Sequence, residues 1–99
     1  MLNISIICIG KIKENYLKDA INEYSKRLSK FCNLKITELP DEKLPSKIND
    51  SIIAEIKNKE CDKIIDAIKK DSYVICLDLK GKEYSSEDFS KKIENITLN

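Results

Sequence analysis

The sequence contains no histidine, and this absence excludes several kinds of active site. Without an imidazole the chain cannot form a Ser-His or Cys-His pair, in which histidine activates the nucleophile. The four cysteines, Cys8, Cys32, Cys61 and Cys76, include no CxxC pair. A zinc site would need thiolates from four separate elements, so we expect no metal. We interpret Cys8 and Cys76 as small hydrophobic residues inside apolar strands, and unpaired thiols indicate a reducing cytoplasm.

Glycine is nearly as scarce, because Gly10 and Gly81 are the only two in the sequence. A dinucleotide-binding fingerprint needs three closely spaced glycines after a strand. A Walker loop needs a glycine five residues before its Gly-Lys pair, and Ser5 occupies that position before Gly10. Both phosphate-binding motifs are therefore excluded.

Strong net charge and long apolar runs are also missing. Lysine and arginine number 18 against 17 acidic residues, so total charge argues neither for nor against a nucleic-acid partner. No apolar run is long enough to span a bilayer. The start of the chain has no positive residue before its apolar part and no small-residue cleavage site, unlike a signal peptide. We expect a cytoplasmic protein without a membrane segment.

Apolar runs that suit strands alternate with segments of helical periodicity. The predicted strands and helices, in chain order, are Asn3–Ile9, Glu14–Lys30, Asn33–Leu39, Ser51–Lys70, Tyr73–Leu77 and a last helix that begins after Ser85. This βαβαβα order predicts a parallel sheet with right-handed crossovers. We therefore predict a single α/β domain over residues 1–99, a three-layer αβα arrangement.

The third apolar run, Tyr73–Leu77, is the most hydrophobic and indicates where a ligand would bind. Continuous apolarity favours a strand covered on both faces, in the middle of a parallel sheet. Ligands bind outside the carboxyl ends of such strands, so Leu77 to Gly81 is the first candidate site. Ser85 and Asp88 match a capping box at the start of the last helix. With only two other strands available, we expect an open edge, as in a shortened domain.

Several other polar and aromatic residues each allow a structural and a functional interpretation. Glu87 and Asp88 are paired carboxylates, but the dipole of a helix start explains them better than catalysis does. Tyr73 and Tyr84 suit amphipathic core or base stacking. A cluster of basic residues near the first helix could bind RNA phosphates, or it could be a solvent-exposed helix face with acids among the basic residues. Its members are Lys11, Lys13, Lys18, Lys26, Arg27 and Lys30.

Three blocks of sequence together resemble a known family. IxxxxIGKIKENYLKDAINEYSKRL covers Ile4–Leu28, ELPDEK covers Glu38–Lys43, and VICLDLKGKEYSSEDFSKKI covers Val74–Ile93. In order and spacing they resemble the N-terminal part of the ribosomal large-subunit pseudouridine methyltransferase H family, which is of the SPOUT class. The resemblance covers nearly the whole chain.

The resemblance implies transfer of a methyl group from S-adenosylmethionine to N3 of a pseudouridine in 23S ribosomal RNA. It also implies a homodimer that acts on the assembled ribosome, and a fold whose C-terminal part forms a trefoil knot around the cofactor. By position, Leu77 corresponds to a cofactor-binding residue, and Asp78, Lys80 and Gly81 are weaker candidates beside it. No residue corresponds to a catalytic base, so that role stays unassigned.

The family continues for about half as much chain again, with its glycine-rich loop, knot and most of its dimer interface there. We therefore expect this chain to be the N-terminal part of a SPOUT domain without the knot, with poor cofactor binding and doubtful activity on its own. Two alternatives stay open. One is a non-catalytic interaction module that pairs through its open strand edge. The other is a ribosome-binding fragment that contacts RNA through Lys11 to Lys30.

Overall fold

The computed structural model describes residues 2–98 and has an α/β fold with a parallel two-stranded sheet and three helices. The elements in chain order are β1 (Leu2–Ile9), α1 (Asn15–Leu28), β2 (Cys32–Leu39), α2 (Asp50–Ala67) and α3 (Ser86–Leu98). The chain divides into two compact units, the first ending at Lys69 and the second beginning at Lys70. The sheet lies in the first unit and α3 in the second.

The two strands pair in parallel, as the sequence predicts. Leu2 lies opposite Cys32 at one end and Ile9 opposite Leu39 at the other, so both strands contribute all eight residues. The Gly10 N–H donates to the Leu39 carbonyl oxygen at 2.7 Å, which adds one hydrogen bond beyond the strand. Gly10 has φ +87, a conformation that glycine adopts without steric cost. The scarce glycine therefore ends β1 where the chain must turn.

The bounds of the first helix are close to the predicted ones and differ by one or two residues at each end. The predicted segment is Glu14–Lys30, and the observed helix is Asn15–Leu28. Glu14 lies at the N-cap with extended backbone rather than in the first turn, and its carbonyl oxygen accepts from the Lys18 N–H at 3.2 Å. The helix contacts β2, although its apolar side chains Tyr16, Tyr24 and Leu28 remain 71%, 62% and 43% exposed.

The second helix has a side-chain cap that the sequence reading did not identify. It was predicted over Ser51–Lys70 and is observed over Asp50–Ala67. Asn49 Oδ1 accepts from the Ile52 N–H at 2.9 Å, as an N-cap asparagine does. Helical backbone stops at Ile68, which is extended. The helix packs against β1.

The predicted third strand is wrong. Tyr73–Leu77 lies in the second unit and forms no strand, so among residues 2–98 the sheet has two strands rather than three. The side chains of Tyr73 and Val74 are 60% and 57% exposed, so they are not the covered core of a sheet. A strand exists only when a neighbour provides hydrogen-bond partners. The second unit contains no other strand in its described part, so Tyr73–Leu77 has no partner strand there, whereas the α/β fold class with a parallel sheet is confirmed.

Burial is limited throughout the part of the chain that the structure describes. Cys32 is the one buried hydrophobic residue there, with 5% exposure. Large apolar side chains retain substantial exposure both on the helices and strands and between them, among them Tyr16, Phe31, Ile65 and Leu77. Exposed apolar surface of this extent is typical of surfaces that other protein chain covers.

Candidate functional site

The predicted site residues form a tight turn in the second unit. The Gly81 N–H donates to the Asp78 carbonyl oxygen at 2.9 Å, and the Asp78 carboxylate accepts from the Lys80 N–H at 3.0 Å. Aspartate at the first position and glycine at the last are typical of such a turn. A Cβ at Gly81 would lie 3.1 Å from the Asp78 carbonyl oxygen, closer than most side chains tolerate. Asp78 therefore has a structural role, because one of its carboxylate oxygens fixes the turn.

The helix that follows begins where the capping signal predicts. Ser85 Oγ accepts from the Asp88 N–H at 3.1 Å, and the Ser85 carbonyl oxygen accepts from the Phe89 N–H at 2.9 Å. Glu87 and Asp88 lie in the first turn of α3, where the helix dipole stabilises negative charge. Ser85 thus caps α3 at the end nearest the turn.

Aromatic contacts connect the turn to the helix. The Tyr84 and Phe89 rings are 6.3 Å apart between centroids, with an interplanar angle of 67°, an edge-to-face contact. Lys82 Nζ lies 5.2 Å from the centre of the Tyr84 ring, within the range of a cation–π contact. These contacts fix Tyr84 within the second unit and leave 43% of it exposed.

An open cavity of about 530 Å³ lies between the turn and the start of α3. Its lining includes Leu77, Asp78, Gly81, Ser85 and Phe89, a mixture of apolar side chains with a few polar groups. Small-molecule sites have similar volumes but bury most of the ligand's surface, whereas this cavity is open. The structure brings the predicted residue Leu77, whose side chain is 86% exposed, to the same cavity as two of its three predicted neighbours.

Lys80, the third neighbour, is not among the residues that line this cavity in the described part of the chain. Its backbone N–H is used by Asp78 within the turn. Ser85 and Phe89 line the cavity although the sequence reading did not assign them to the site. The capping motif was the signal that could have located them, since it places the start of α3 only a few residues after Gly81.

The first unit contains an ion pair that the sequence reading also missed. Lys63 Nζ lies 2.8 Å from Glu42 Oε1 and donates to the Pro40 carbonyl oxygen at 3.1 Å. Glu60 accepts from the Glu42 N–H at 3.3 Å. We call Glu42, Glu60 and Lys63 the loop clamp, because they attach the start of the Pro40–Asn49 loop to α2.

The loop clamp is better shielded than the other two ion pairs that the structure records. The side chains of Lys63 and Glu42 are 34% and 28% exposed, whereas those of the Arg27–Glu23 pair are 70% and 57% exposed. The hydrogen bond and charge of Lys63, with a smaller contribution from the charge of Lys59, lower the pKa of Glu42, and partial desolvation opposes them. The contact with Lys63 therefore favours the ionised form of Glu42, and its pKa lies below the ordinary value.

The cysteines are all unpaired, and their surroundings differ from prediction in one case. Cys32 is buried, Cys8 is half-buried, and Cys61 and Cys76 are exposed. Cys76 was expected inside an apolar strand, and it is accessible because that strand does not form. Across residues 2–98 no group of three or more potential metal-binding side chains occurs. In the same range no helix combines the length and apolarity that a membrane crossing requires.

Parallel strands joined through helices place the chain in the α/β class of proteins. The sequence matches, over residues 2–99, the profile of a family described as "Predicted SPOUT methyltransferase". The chain therefore belongs to the SPOUT methyltransferase family, which confirms the resemblance found in the sequence.

Curated relatives make the likeness more specific. Proteins named "Ribosomal RNA large subunit methyltransferase H" are 54% identical over 95 residues in Clostridium acetobutylicum and 59% identical over 99 residues in Clostridium botulinum strain 657. The one from Pediococcus pentosaceus is 50% identical over 95 residues. These alignments cover 96%, 98% and 96% of this chain and 60%, 61% and 60% of the relatives. The chain thus spans about 60% of the length of the curated relatives it matches.

Proposed function

We propose that this chain is part of an enzyme that methylates ribosomal RNA of the large subunit. The observation that carries the proposal is identity of 54% and 59%, over nearly all of the chain, to relatives that bear that activity in their names. The resemblance in the sequence implies the finer reaction, which is transfer of a methyl group to N3 of a pseudouridine in 23S ribosomal RNA.

The cofactor that we propose is S-adenosylmethionine, with Leu77 as one of its contacts. S-adenosylmethionine carries an aromatic base together with charged and hydroxyl groups, so it needs both apolar and polar lining. Leu77, Ile75 and Phe89 provide apolar surface in the cavity, and Ser85 provides a hydroxyl group. The lining therefore suits the cofactor. Leu77 is 86% exposed, which leaves its side chain free to contact a ligand.

We propose that the residues of this chain form one wall of the cofactor pocket rather than all of it. The cavity is open, and its described polar groups are few for a molecule with several charged groups. S-adenosylmethionine would supply the methyl group. The residues here would bind and orient it, Leu77 by apolar contact and the Asp78–Gly81 turn by fixing where Leu77 lies.

We also propose partners and a cellular location for the protein. We propose a single domain over residues 1–99 together with the rest of a SPOUT fold, a homodimer, and action on assembled ribosomes in the cytoplasm. The extensive exposed apolar surface supports an interface with another protein chain. An intact ribosome as substrate would also explain why the chain itself needs no excess of positive charge.

The test is a chimera in which these residues replace the matching part of the Clostridium botulinum relative, which is 59% identical over 99 residues. We expect it to transfer radiolabelled methyl groups from S-adenosylmethionine to purified large ribosomal subunits. Calorimetric titration should show cofactor binding by the chimera and much weaker binding by the 99-residue chain alone.

A pair of leucine variants tests the site within that chimera. Leu77→Ala should weaken cofactor binding about tenfold, because it removes apolar contact from the cavity. Leu79→Ala is the matched control, since Leu79 lies two residues away in the Asp78–Gly81 turn, is fully exposed and is not among the residues that line the cavity. Equal affinity in the two variants would show that Leu77 is not a cofactor contact. A chimera that binds the cofactor but labels no ribosomal RNA would refute the proposed substrate.

A further inference from the structure

One side of α1 is an apolar surface that the sheet leaves uncovered. Tyr16, Ala20 and Tyr24 are spaced four residues apart, so they lie on one face of the helix, and all three are exposed. Leu17 and Leu28 extend the same surface and are 40% and 43% exposed. We call Tyr16, Ala20 and Tyr24 the tyrosine stripe. Its exposure needs a physical reason, because tyrosine rings are enriched where protein chains meet.

The sheet covers a neighbouring side of α1. The helix contacts β2, and Ile21 and Ser25 are the two residues of α1 that are not exposed. These two are also four residues apart, and they mark the side that faces the sheet. Contact with β2 therefore does not account for the tyrosine stripe.

Charged residues line one margin of the tyrosine stripe in a definite order. Asp19, Glu23 and Arg27 each follow a residue of the stripe by three positions, and Lys26 lies two turns after Asp19 on the same side. The acids therefore come first along this margin and the bases second. Glu23 and Arg27 pair within the helix, with Oε1 and Nε 3.2 Å apart. Asp19 and Lys26 take part in none of the ion pairs recorded between residues 2 and 98.

This order of charges is complementary to itself when one helix is turned end to end. In an antiparallel pair related by a two-fold axis, the early part of one margin lies beside the late part of the other. Asp19 of each copy is then opposite Lys26 of the other copy, and the two stripes meet between these pairs. The small side chain of Ala20 leaves room for a tyrosine ring from the facing helix.

The dipole of α1 gives a simpler explanation of the bases alone. Lys26 and Arg27 lie in the last turn, where the dipole favours positive charge. The dipole does not explain the exposed tyrosines, because the solvated face of a helix normally carries polar side chains. A pair of helices accounts for the charges and the tyrosines together.

We propose that α1 is an interaction surface for a second copy of this chain, on which two α1 helices pack antiparallel through their tyrosine stripes. Asp19 and Lys26 form two symmetric ion pairs at the margin, and the rings of Tyr16 and Tyr24 leave water. A second copy is the partner whose charges match, since an isologous interface must be complementary to itself. The inference rests on the homodimer in the proposed function, and it adds a surface and the relative direction of the two helices.

Self-association of the 99-residue chain is the first measurement. One helix face is smaller than the roughly 800 Å² per partner of a standard interface, so we expect a dissociation constant of about 10–100 µM. Sedimentation equilibrium from about 10 µM to about 1 mM covers this range. A chain that remains monomeric at the highest concentration would overturn the inference, because the proposed surface lies entirely within the described residues.

Charge reversal tests whether the partner is a second copy with its helix antiparallel. Asp19→Lys and Lys26→Glu each place like charges opposite one another, and each should weaken self-association about tenfold. An equimolar mixture of the two variants should regain the original affinity within about threefold, since the mixed dimer has opposite charges in both pairs. Two variants that do not restore each other would overturn the antiparallel arrangement.

Lys18→Glu is the matched control for these reversals. It makes the same change of charge on the same helix, but Lys18 lies two positions from Tyr16 and does not share its face. We expect its dissociation constant to stay within about twofold of that of the unsubstituted chain. A loss equal to that of Lys26→Glu would mean that net charge governs self-association, and the inference would be overturned.

A pair of tyrosine variants tests the apolar contact. Tyr24→Ala should weaken self-association about tenfold or more, because the two-fold axis removes two rings at once. Alanine is the better helix former, so the helix itself is retained. Tyr73→Ala is the matched control, since Tyr73 is 60% exposed, close to the 62% of Tyr24, and lies in the second unit. Equal losses in the two variants would indicate nonspecific apolar association and overturn the inference.

Failure of this inference and failure of the proposed function are distinguishable. Methylation by the unsubstituted chimera decides the proposed function, whatever the oligomeric state of the 99-residue chain. Two chimeras that carry Asp19→Lys and Lys26→Glu, each with its own affinity tag, should form mixed dimers more often than random pairing gives. Random pairing by chimeras that still methylate would overturn the α1 surface and leave the methyltransferase proposal intact.

Discussion

The two units of the chain are ordered by different kinds of interaction. In the first unit, contacts join residues far apart in sequence, as in the ladder between β1 and β2 and the pairing of Glu42 with Lys63. In the second unit the recorded contacts are local, such as the Asp78–Gly81 turn and the Ser85 cap. The loop clamp thus belongs to a region with long-range support, whereas the candidate cofactor site depends on short-range geometry.

The largest effect that we expect is a loss of stability of the first unit when its buried residue is replaced. Cys32 is 5% exposed, and its thiol donates to the Leu28 carbonyl oxygen at 3.6 Å. Cys32→Asp would place a carboxylate without a charged partner at this position, at a cost of about 3 kcal/mol or more. Chemical denaturation followed by circular dichroism should show the loss. Cys32→Ala is the conservative control, and an equally large loss there would show that packing rather than charge dominates.

The two glycines compare the units directly. Gly10→Ala in the first unit forces alanine into φ +87 and should cost about 1–2 kcal/mol. Gly81→Ala in the second unit crowds the Asp78 carbonyl oxygen at 3.1 Å, which a small shift of the turn can relieve, so it should cost less than about 1 kcal/mol. Thermal denaturation of each variant gives the order. A larger loss at Gly81 would contradict the view that the second unit adapts locally.

A smaller effect is expected at the cap of α3. Ser85→Ala removes the acceptor for the Asp88 N–H and should destabilise the helix by about 1 kcal/mol. Amide hydrogen exchange in the first turn of α3 is the direct measurement. Ser86→Ala is the matched control, because residue 86 is already helical and alanine is the better helix former there. Equal exchange rates in both variants would exclude Ser85 as the cap.

The smallest effect is a dependence of the loop on pH. Lys63 lowers the pKa of Glu42 below its ordinary value of 4.5, and Lys59 and Glu60 are the other charged groups of α2 in its surroundings. Because the pKa is lower in the folded chain, the ion pair contributes stability above the unfolded pKa of 4.5, and this contribution is lost as pH falls through the folded value. Acidification below about pH 4.5 should therefore release the loop.

An NMR titration of the Glu42 side chain measures this effect. The midpoint should lie below 4.5 in the unsubstituted chain and return toward that value in Lys63→Met. Identical midpoints would mean that the pair at 2.8 Å does not persist in solution.

The comparison of the units also explains what could be predicted from the sequence. Helical periodicity located α1 and α2 to within a few residues, and the Ser85 signal located the start of α3, because these features depend on neighbouring residues. Tyr73–Leu77 was predicted as a strand from its composition, yet strand formation requires a partner strand that composition does not specify. For the same reason, the candidate site was predicted from its turn residues and not from its packing, and Leu77 as a cofactor contact stays a prediction.

The loop clamp is a long-range contact that could not be predicted from the sequence. Glu42 and Lys63 are common surface residue types, and a sequence contains many such pairs. Their contact depends on how α2 packs against β1, which brings the helix to the loop after β2. No periodicity within either segment encodes that packing, so the pair was missed although ELPDEK was recognised as a family block.

The exposure of two cysteines provides a tool for spectroscopy. Cys61 lies in α2 of the first unit and Cys76 in the second, and both are exposed, whereas Cys8 and Cys32 are shielded. Thiol-specific reagents should therefore attach paramagnetic or fluorescent probes at one point in each unit, with no substitution needed. Pulsed dipolar spectroscopy between these two probes would report the separation of the units.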